Sequence, residues 1–564
     1  MKNLLIVLVL ILAGGSLYYL SQQSSDQGFQ ANGALEYVPA DTAVFSGQLR
    51  PFPLRDYLVS MSGNYQQAMF LSPEWFETPQ ERFFVSLYGQ YMTLMSKPDE
   101  LLTGFGLANS VEGYFYTLGL IPVIKMQVKD ASAFYQRLDL AEEESEWSHS
   151  LRQIGDLNVR VYRFDNLEGA MEMLVADRDG WMTLTLAFEG QDPLVVEQSL
   201  GLKPVDMNMT QTTLLQDIVR RHGLQAESIS FINHQSLVAA LTQGTGLMGQ
   251  QLTRIFQMAQ DDSLDVLRTK ECQQELTGIA ANWPMTVSGF THMSINERHS
   301  DIEVRTVVES NSTAILNALQ SIRGHINPDA SRFGQSIFSL GLGLNTDNLA
   351  AGLNKVWQEL TQPEFQCPLL SQLQYELAQT NPAMLGMFTG MAQGAQGISM
   401  VVSGYEMDDA GQLKSLDAMV SLAVSNPGNL FAMSAGFLPQ LAGVQLPEDG
   451  SGIDVTELLG LPPLGPVMLA AKGEHLVLYT GKRSAELANE LAVQKSLAAN
   501  GVAVMTADYK QLLTPVFNMA EAMGEAVPPE LQGMQNADMK VKFSMDVKPT
   551  GLEMDVRMAG SVPQ

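Results

Sequence analysis

M-K-V-K-F-S-M-D-V (Met539–Val547), K-P-T-G (Lys548–Gly551) and L-E-M-D-V-R-M (Leu552–Met558) follow one another directly. Met539, Val541, Phe543, Met545 and Val547, then Leu552, Met554, Val556 and Met558, occupy alternate positions. Lys540, Lys542, Asp546, Glu553, Asp555 and Arg557 fall between them. Side chains of a strand point alternately to its two faces, so this period of two gathers the apolar set on one face. The Pro549-Thr550-Gly551 turn joins the two strands into a hairpin.

Working outward, V-M-L-A-A-K-G-E-H-L-V-L-Y-T (Val467–Thr480) reads as strand, turn at Lys472-Gly473, and strand. A helix is expected over Ser484–Val493, a strand over Val502–Met505 and a helix over Tyr509–Phe517. The same order occurs earlier. Met171–Phe188 is a hairpin turning at Asp179-Gly180, and Asp192 caps a helix with Pro193 in its first turn. Ser228–Asn233 then reads as a strand, Gln235–Gln243 as a helix and Met285–Val308 as a hairpin. The recurrence over 171–308 and 466–560 implies an internal duplication. Gly397–Met407 (G-I-S-M-V-V-S-G-Y-E-M) also echoes Met285–Met293 (M-T-V-S-G-F-T-H-M). The expected fold is α+β: two related antiparallel sheet-plus-helix halves, 34–322 and 323–564, each with helices on one face of its sheet.

Nearer the N-terminus, Thr78-Pro79-Gln80-Glu81 is a capping box, and Phe83, Leu87, Tyr91 and Leu94 recur at helical spacing until Pro98. Ile124, Met126 and Val128 alternate with Lys125, Gln127 and Lys129, which predicts a strand with one wet face. Asp130 caps a helix over Ala131–Leu140. Glu142, Glu143, Glu144 and Glu146 follow; consecutive carboxylates diverge around a helix, so they read as a solvated face rather than a cation site.

The run Leu4–Leu20 is apolar throughout its core and would reach about 26 Å as a helix, against about 30 Å for a bilayer interior. Leu17, Tyr18, Tyr19 and Leu20 prolong it past Gly14-Gly15-Ser16, which favours a retained anchor; cleavage near Gly15–Ser16 is the alternative. Lys2 keeps the short N-terminus cytoplasmic. The expectation is a single-pass inner-membrane protein (anchor 1–20, flexible linker 21–33) with its body in the periplasm, or a soluble periplasmic protein after cleavage.

The charge balance, 33 basic against 61 acidic residues, gives −28. It leaves no basic footprint for nucleic acid. Cys272 and Cys367 are the two cysteines, and in an exported chain they are expected to pair, stapling the two halves. Neither has a C-x-x-C neighbour, so they are a poor metal or redox motif.

Chemical motifs are sparse. Gly244-Thr245-Gly246-Leu247-Met248-Gly249 matches G-x-G-x-x-G, but a helix precedes it where the dinucleotide fingerprint needs a strand, so it reads as a helix break. The histidines are His149, His222, His234, His292, His299, His325 and His475, and none has H-E-x-x-H spacing. His292, His299 and Glu297 could meet across a hairpin turn, although histidines there are usually solvated. The sequence holds no G-x-S-x-G elbow, P-loop or EF-hand loop. Met384, Met387 and Met391 lie in N-P-A-M-L-G-M-F-T-G-M-A-Q-G-A-Q-G, with Gly386, Gly390 and Gly394 at intervals of four. Thioethers can bind Cu(I), but no histidine accompanies these; core packing or an apolar-ligand surface fits better. Asn429–Gln445 is a second uncharged stretch.

Tyr37–Thr42 (Y-V-P-A-D-T) behind an N-terminal anchor resembles the opening of large exported bacterial proteins of unknown function, whose duplicated strand-and-helix body is similar too. The resemblance implies a bacterial envelope address and lends no catalytic residue. The functional expectation is a non-enzymatic envelope protein that acts by binding, with no cofactor. Its partners are the inner membrane, through the N-terminal helix, and envelope proteins or lipid, with no nucleic acid. Alternatives are a carrier or sensor of a lipid or other apolar ligand, and an exported hydrolase with a site assembled from distant residues.

Overall fold

The alternation of Met539–Met558 is realised as a hairpin, Asp538–Lys548 against Gly551–Ser561, at the centre of a much larger sheet. The computed structural model describes residues 33–61, 76–164, 171–188, 190–258, 260–379, 392–408, 410, 412–435, 439–441, 443–460, 464–494, 497–524 and 538–561. The expected anchor and all of the linker but Gly33 lie outside these. No helix among the described residues is long and apolar enough to cross a membrane.

Among the described residues sixteen α-helices surround one antiparallel sheet of 19 strands, so the chain is α+β as expected. The first ten are β1 (Val44–Gln48), β2 (Gly113–Leu118), β3 (Ile121–Gln127), β4 (Ser150–Ile154), β5 (Leu157–Phe164), β6 (Met171–Arg178), β7 (Trp181–Phe188), β8 (Ser228–Asn233), β9 (Met285–Asn296) and β10 (His299–Glu309). They pair in the order β4-β5-β6-β7-β3-β2-β1-β8-β9-β10. The others are β11 (Phe338–Leu342), β12 (Ala395–Met407), β13 (Leu413–Val424), β14 (Ile453–Asp454), β15 (Met468–Ala471), β16 (His475–Thr480), β17 (Ala503–Asp508), β18 (Asp538–Lys548) and β19 (Gly551–Ser561). From β10 the sheet continues β19-β18-β17-β11-β12-β13-β16-β15-β14.

The two sets follow one pairing scheme. β1 lies between β2 and β8, as β11 lies between β12 and β17. Outward from them β3, β7 and β6 match β13, β16 and β15. The caps agree as well: Asn233 ends β8 and caps His234–Gln243, and Asp508 ends β17 and caps Tyr509–Met523. One expected echo is corrected. Gly397–Met407 lies in β12, beside β11, and therefore takes the place of β2 rather than of Met285–Met293 in β9. Its mix of glycine, serine and apolar residues suits any central strand, and only the pairing order distinguishes them.

Local expectations hold where a turn or cap dictates them. Thr78 and Glu81 exchange both capping-box bonds, and Asp179 and Gly180 both take positive φ (51° and 80°), as a two-residue hairpin turn requires. Asp130 and Asp192 cap Ala131–Ser145 and Pro193–Ser199.

The single covered face expected for the first half is not what forms. Val161 and Tyr162 are neighbours in β5 and so point to opposite faces. On the Tyr162 side, Phe83 of Pro79–Met95 packs at 5.2 Å and Glu142 of Ala131–Ser145 accepts the Tyr162 hydroxyl at 2.7 Å. On the other side Val159, Val161 and Leu174 pack with Val196 and Leu200. Lys125, expected on a wet face, is only 6% exposed. Its Nζ donates to Thr183 Oγ1 at 3.0 Å and lies 5.4 Å from the Tyr37 ring centre, and burial, with Arg178 nearby, pushes the amine down to about 8.

β10 and β19 join the two sets through a ladder from His299↔Ser561 to Glu309↔Gly551. On one face Arg305 binds Asp555 through two bonds (2.8 and 3.0 Å) and Arg557 binds Asp301 likewise (2.9 and 2.7 Å). Arg323 adds a third fork on Asp546. On the opposite face Ile302, with Phe290 and Met293, packs under Leu54–Met61.

The expected disulfide is present. It ties Cys272 of Lys270–Asn282, between β8 and β9, to Cys367, the residue capping Pro368–Ala378 between β11 and β12. Glu275 accepts the backbone N–H groups of Gln366 (2.8 Å) and Cys367 (2.9 Å), which places an anion at that helix N-terminus. A disulfide fits an oxidising compartment.

Two predictions follow from these connections. Burial opposes ionisation of Asp301 and Asp546, but hydrogen bonds from Arg557 and Arg323 outweigh it and hold both below the usual carboxylate range. Their contribution is therefore complete above about pH 4 and is lost as pH falls through the lowered values. Urea unfolding should show Arg557→Gln to be less stable at pH 7 by about 2 kcal/mol, with a shallower further loss between pH 4 and 2 than the parent. Replacing Cys272 and Cys367 by serine opens a loop with a sequence separation of 95. In the chain-entropy model this costs about 4–5 kcal/mol, and a lowered melting temperature in calorimetry checks it.

Candidate functional site

β11 presents its side chains in an unusual order. Ser339 and Gly341 point to a fully covered face, whereas Leu340 and Leu342 are 38% and 39% exposed. In β12, Ser399 is buried and Ile398 is 46% exposed. The cause is the chain just before β11. Gly324–Ser331 lies against the serine face and is held by hydroxyls. Ser339 Oγ donates to Ala330 O (2.7 Å) and shares a 2.6 Å bond with Thr506; Ser399 Oγ accepts from the Asn327 N–H (3.1 Å) and Ser421 Oγ from its amide (3.3 Å). Asn500 closes the clamp by exchanging side-chain bonds with the Ile326 backbone (2.7 and 2.8 Å). A Cβ on Gly397 would stand 2.1 Å from His325 O, and one on Gly341 2.5 Å from Ile326, so only glycine permits this approach.

The bulky residues are left to the other face. Cross-strand register aligns Leu342, Ile398, Leu422 and Leu476 in one row, and Leu340, Met400, Val420 and Leu478 in the next. Through β17 the rows run on into Met505, Phe543 and Val556, and into Met545 and Met554. Pro427–Ala435 covers the β15–β16 end, where Phe431 and Leu441 pack with Leu469. Tyr509–Met523 packs against β12, β17 and β18, and its Leu512 carbonyl accepts the Tyr405 hydroxyl. Between these helices Leu340, Leu342 and Ile398 form an apolar patch. A second apolar strip lies on Pro368–Ala378, where Leu369, Leu373 and Leu377 recur every four residues and are exposed.

The residues singled out from the sequence distribute as follows. Met384, Met387 and Met391 lie outside the described residues. His292 stands 3.6 Å from Asp301, whereas Glu297 pairs with Arg55, so His292, His299 and Glu297 do not gather into one site. Gly244 and Gly246 both take positive φ between two helices, as the helix-break reading requires. In the acidic run Glu143, Glu144 and Glu146 are exposed, as the solvated-face reading expects, and Glu142 alone is half-buried. Glu142 accepts from Tyr162 and from His149 Nδ1 (2.6 Å), and Asp139, Glu142 and His149 converge within 4.8 Å. Arg160 already pairs with Asp139 and lies 3.5 Å from Glu142, so a cation is in place.

Two clefts hold polar groups. One of about 710 Å³ is lined by Tyr405, Asp417, Tyr479 and Gly481, where Asp417 is engaged by the backbone N–H groups of Arg483 (2.9 Å) and Ser484 (2.8 Å). The other, about 260 Å³, lies at the β10–β19 junction, where Arg557 is held by Asp301 and by the Phe333 ring at 4.6 Å.

Sequence reasoning missed the apolar patch because alternation tells which residues share a face, not which face is covered. The signal was the pair of serine- and glycine-rich strands itself. No family model, no curated protein and no solved structure matches this chain.

Proposed function

We propose that this chain is a non-catalytic binding module of the bacterial envelope, tethered by Leu4–Leu20, and that Leu340, Leu342 and Ile398 form the centre of its binding surface. The observation that carries the proposal is the inversion in β11 and β12: serines are buried while leucine and isoleucine face outward. Burying such a side chain completely from water is worth about 1.5–3 kcal/mol, and the exposed 38–46% of each leaves a part of that to be gained by an apolar occupant. The patch continues into Met400, Met505, Met545 and Met554, and flexible thioethers adapt to chains of varied shape. An acyl chain of a lipid suits this surface. The paired succession of strands supports reading 34–322 and 323–564 as duplicated halves, of which the second keeps the open face.

A protein partner is the second reading. The exposed Leu369, Leu373 and Leu377 stripe favours it, since spacing of four residues on one helix is how helical surfaces meet an apolar groove.

Native mass spectrometry of the full chain, released from detergent, separates the two. The parent should carry a reproducible added mass that extracts as lipid, and Leu340→Glu with Ile398→Glu should lower its occupancy about tenfold or more, since the new carboxylates would be desolvated by an acyl chain. A clean apo mass for the parent, or an adduct indifferent to both substitutions, would sink the lipid reading.

A further inference from the structure

The face of the sheet that bears Leu340, Leu342 and Ile398 does not stop at the second set of strands. From Ile398 and Leu342 the cross-strand register leads through Ala503 and Met545 to Met554. At the β10–β19 ladder the same line crosses to Thr306 and goes on through Ser288 and Ser230 to Ser46. Directly opposed residues of a ladder share a face, so one line over nine strands carries four hydroxyls in succession and then five apolar side chains. Of these only Ser288 is buried; the others keep part of their surface in solvent. The hydroxyls stand in pairs. Ser230 Oγ donates to Ser46 Oγ at 2.8 Å, and Ser288 Oγ lies 3.0 Å from Thr306 Oγ1. A hydroxyl donates one hydrogen bond and accepts two, so the Ser46–Ser230 pair keeps capacity for a further polar group. Ser339 and Ser399 differ, being taken up in holding Gly324–Ser331 on the opposite face. No side chain on this face of β1 or β8 is charged, and neither are the flanking Thr286, Phe290, Val304 and Val308.

We propose that this face binds an acylglycerol lying across the junction of the two strand sets. Its uncharged, hydroxyl-bearing head rests on Ser46, Ser230 and Thr306, and its acyl chain runs over Met554 and Met545 to Leu342 and Ile398. The inference rests on the apolar-ligand reading of Leu340, Leu342 and Ile398, and adds to it a head group and a direction. The line changes chemistry once, from hydroxyl to hydrocarbon, as an amphiphile does. Its apolar part fits one chain: from Met554 to Ile398 it crosses four strand spacings. At about 4.8 Å each these make roughly 19 Å, against about 15 Å for one leaflet of a bilayer interior. Charge selects the head. A phosphate or carboxylate set down among these hydroxyls would be desolvated with no cation on this face to pair with it, in a chain whose net charge is −28. A glycerol head needs only donors and acceptors, which Ser46 and Ser230 supply.

The test offers the full chain three ligands with one oleoyl chain and different heads, at equal concentration: monooleoylglycerol, oleate and oleoyl-lysophosphatidylglycerol. Octadecene serves as the headless control, and native mass spectrometry after release from detergent reads what is retained. The parent should keep one monooleoylglycerol, favoured at least about fivefold over either anion. Ser230→Ala with Thr306→Val should lower monooleoylglycerol retention at least about fivefold, the loss of one or two hydrogen bonds, and leave octadecene unchanged. Leu342→Glu with Met545→Glu should lower both. Circular dichroism and an intact Cys272–Cys367 bridge check that each variant has folded. Photolabelling of the parent decides the direction even if a variant does not fold. A diazirine at the methyl end of the acyl chain should mark β11 or β12, and one on the glycerol should mark β1, β8, β9 or β10. Labels in the reverse order or on other strands overturn the proposal. Equal retention of the three heads overturns it too, while leaving the apolar-ligand reading in place if Leu340→Glu with Ile398→Glu still abolishes binding. Retention of none of the four ligands removes both.

Discussion

The ladder between β10 and β19 is the constraint on which the rest depends. It converts two separately ordered sets of strands into one sheet, and it does so with the last strand of each set. Because the pairing is antiparallel and every residue from His299 to Glu309 has a partner, sliding by one position would misplace both faces together. The arginine forks add directional penalties to that slip. Arg305 on Asp555 and Arg557 on Asp301 are two-bond contacts with fixed geometry, and both would be broken by it. The disulfide acts elsewhere, linking helices that lie in the connections rather than strands.

With the junction set, the two sets solve the covering problem differently. The first places helices on both sides of β5 to β7, which is why Lys125 finds itself among aromatic and threonine side chains rather than in water. The second lays an irregular segment directly on its sheet. Irregular backbone needs hydrogen-bond partners, and Ser339, Ser399 and Asn500 supply them, while Ser421 holds the Asn327 side chain. Small residues on that side leave the large ones on the other. The apolar patch is therefore a by-product of how the opposite face is closed.

This division also explains what could be read in the sequence. Hairpins such as Met171–Phe188 and Asp538–Ser561 were legible because turn chemistry and alternation are local. So were the caps at Thr78, Asp130 and Asp192. The pairing of Cys272 with Cys367 followed from there being two cysteines in a chain whose sequence leads one to expect export. Coverage was not legible: nothing near Lys125 announces a second layer, and nothing near Leu340 announces that it stays partly exposed. The line from Ser288 through Thr306 to Met554 depends on β10 lying between β9 and β19, a matter of topology that residue spacing does not encode.

The sheet is open, with β4 and β14 as its outer strands. Nineteen strands at about 4.8 Å per step make a ladder on the order of 85 Å from edge to edge. Yet β4 has five residues and β14 has two, so little unpaired backbone is offered at either end. A strand from another molecule would find two short edges to pair with, the β14 edge the shorter. Among the described residues the sheet is therefore broad in its face and narrow in its rims, and most of the surface it offers is side chain rather than unpaired backbone.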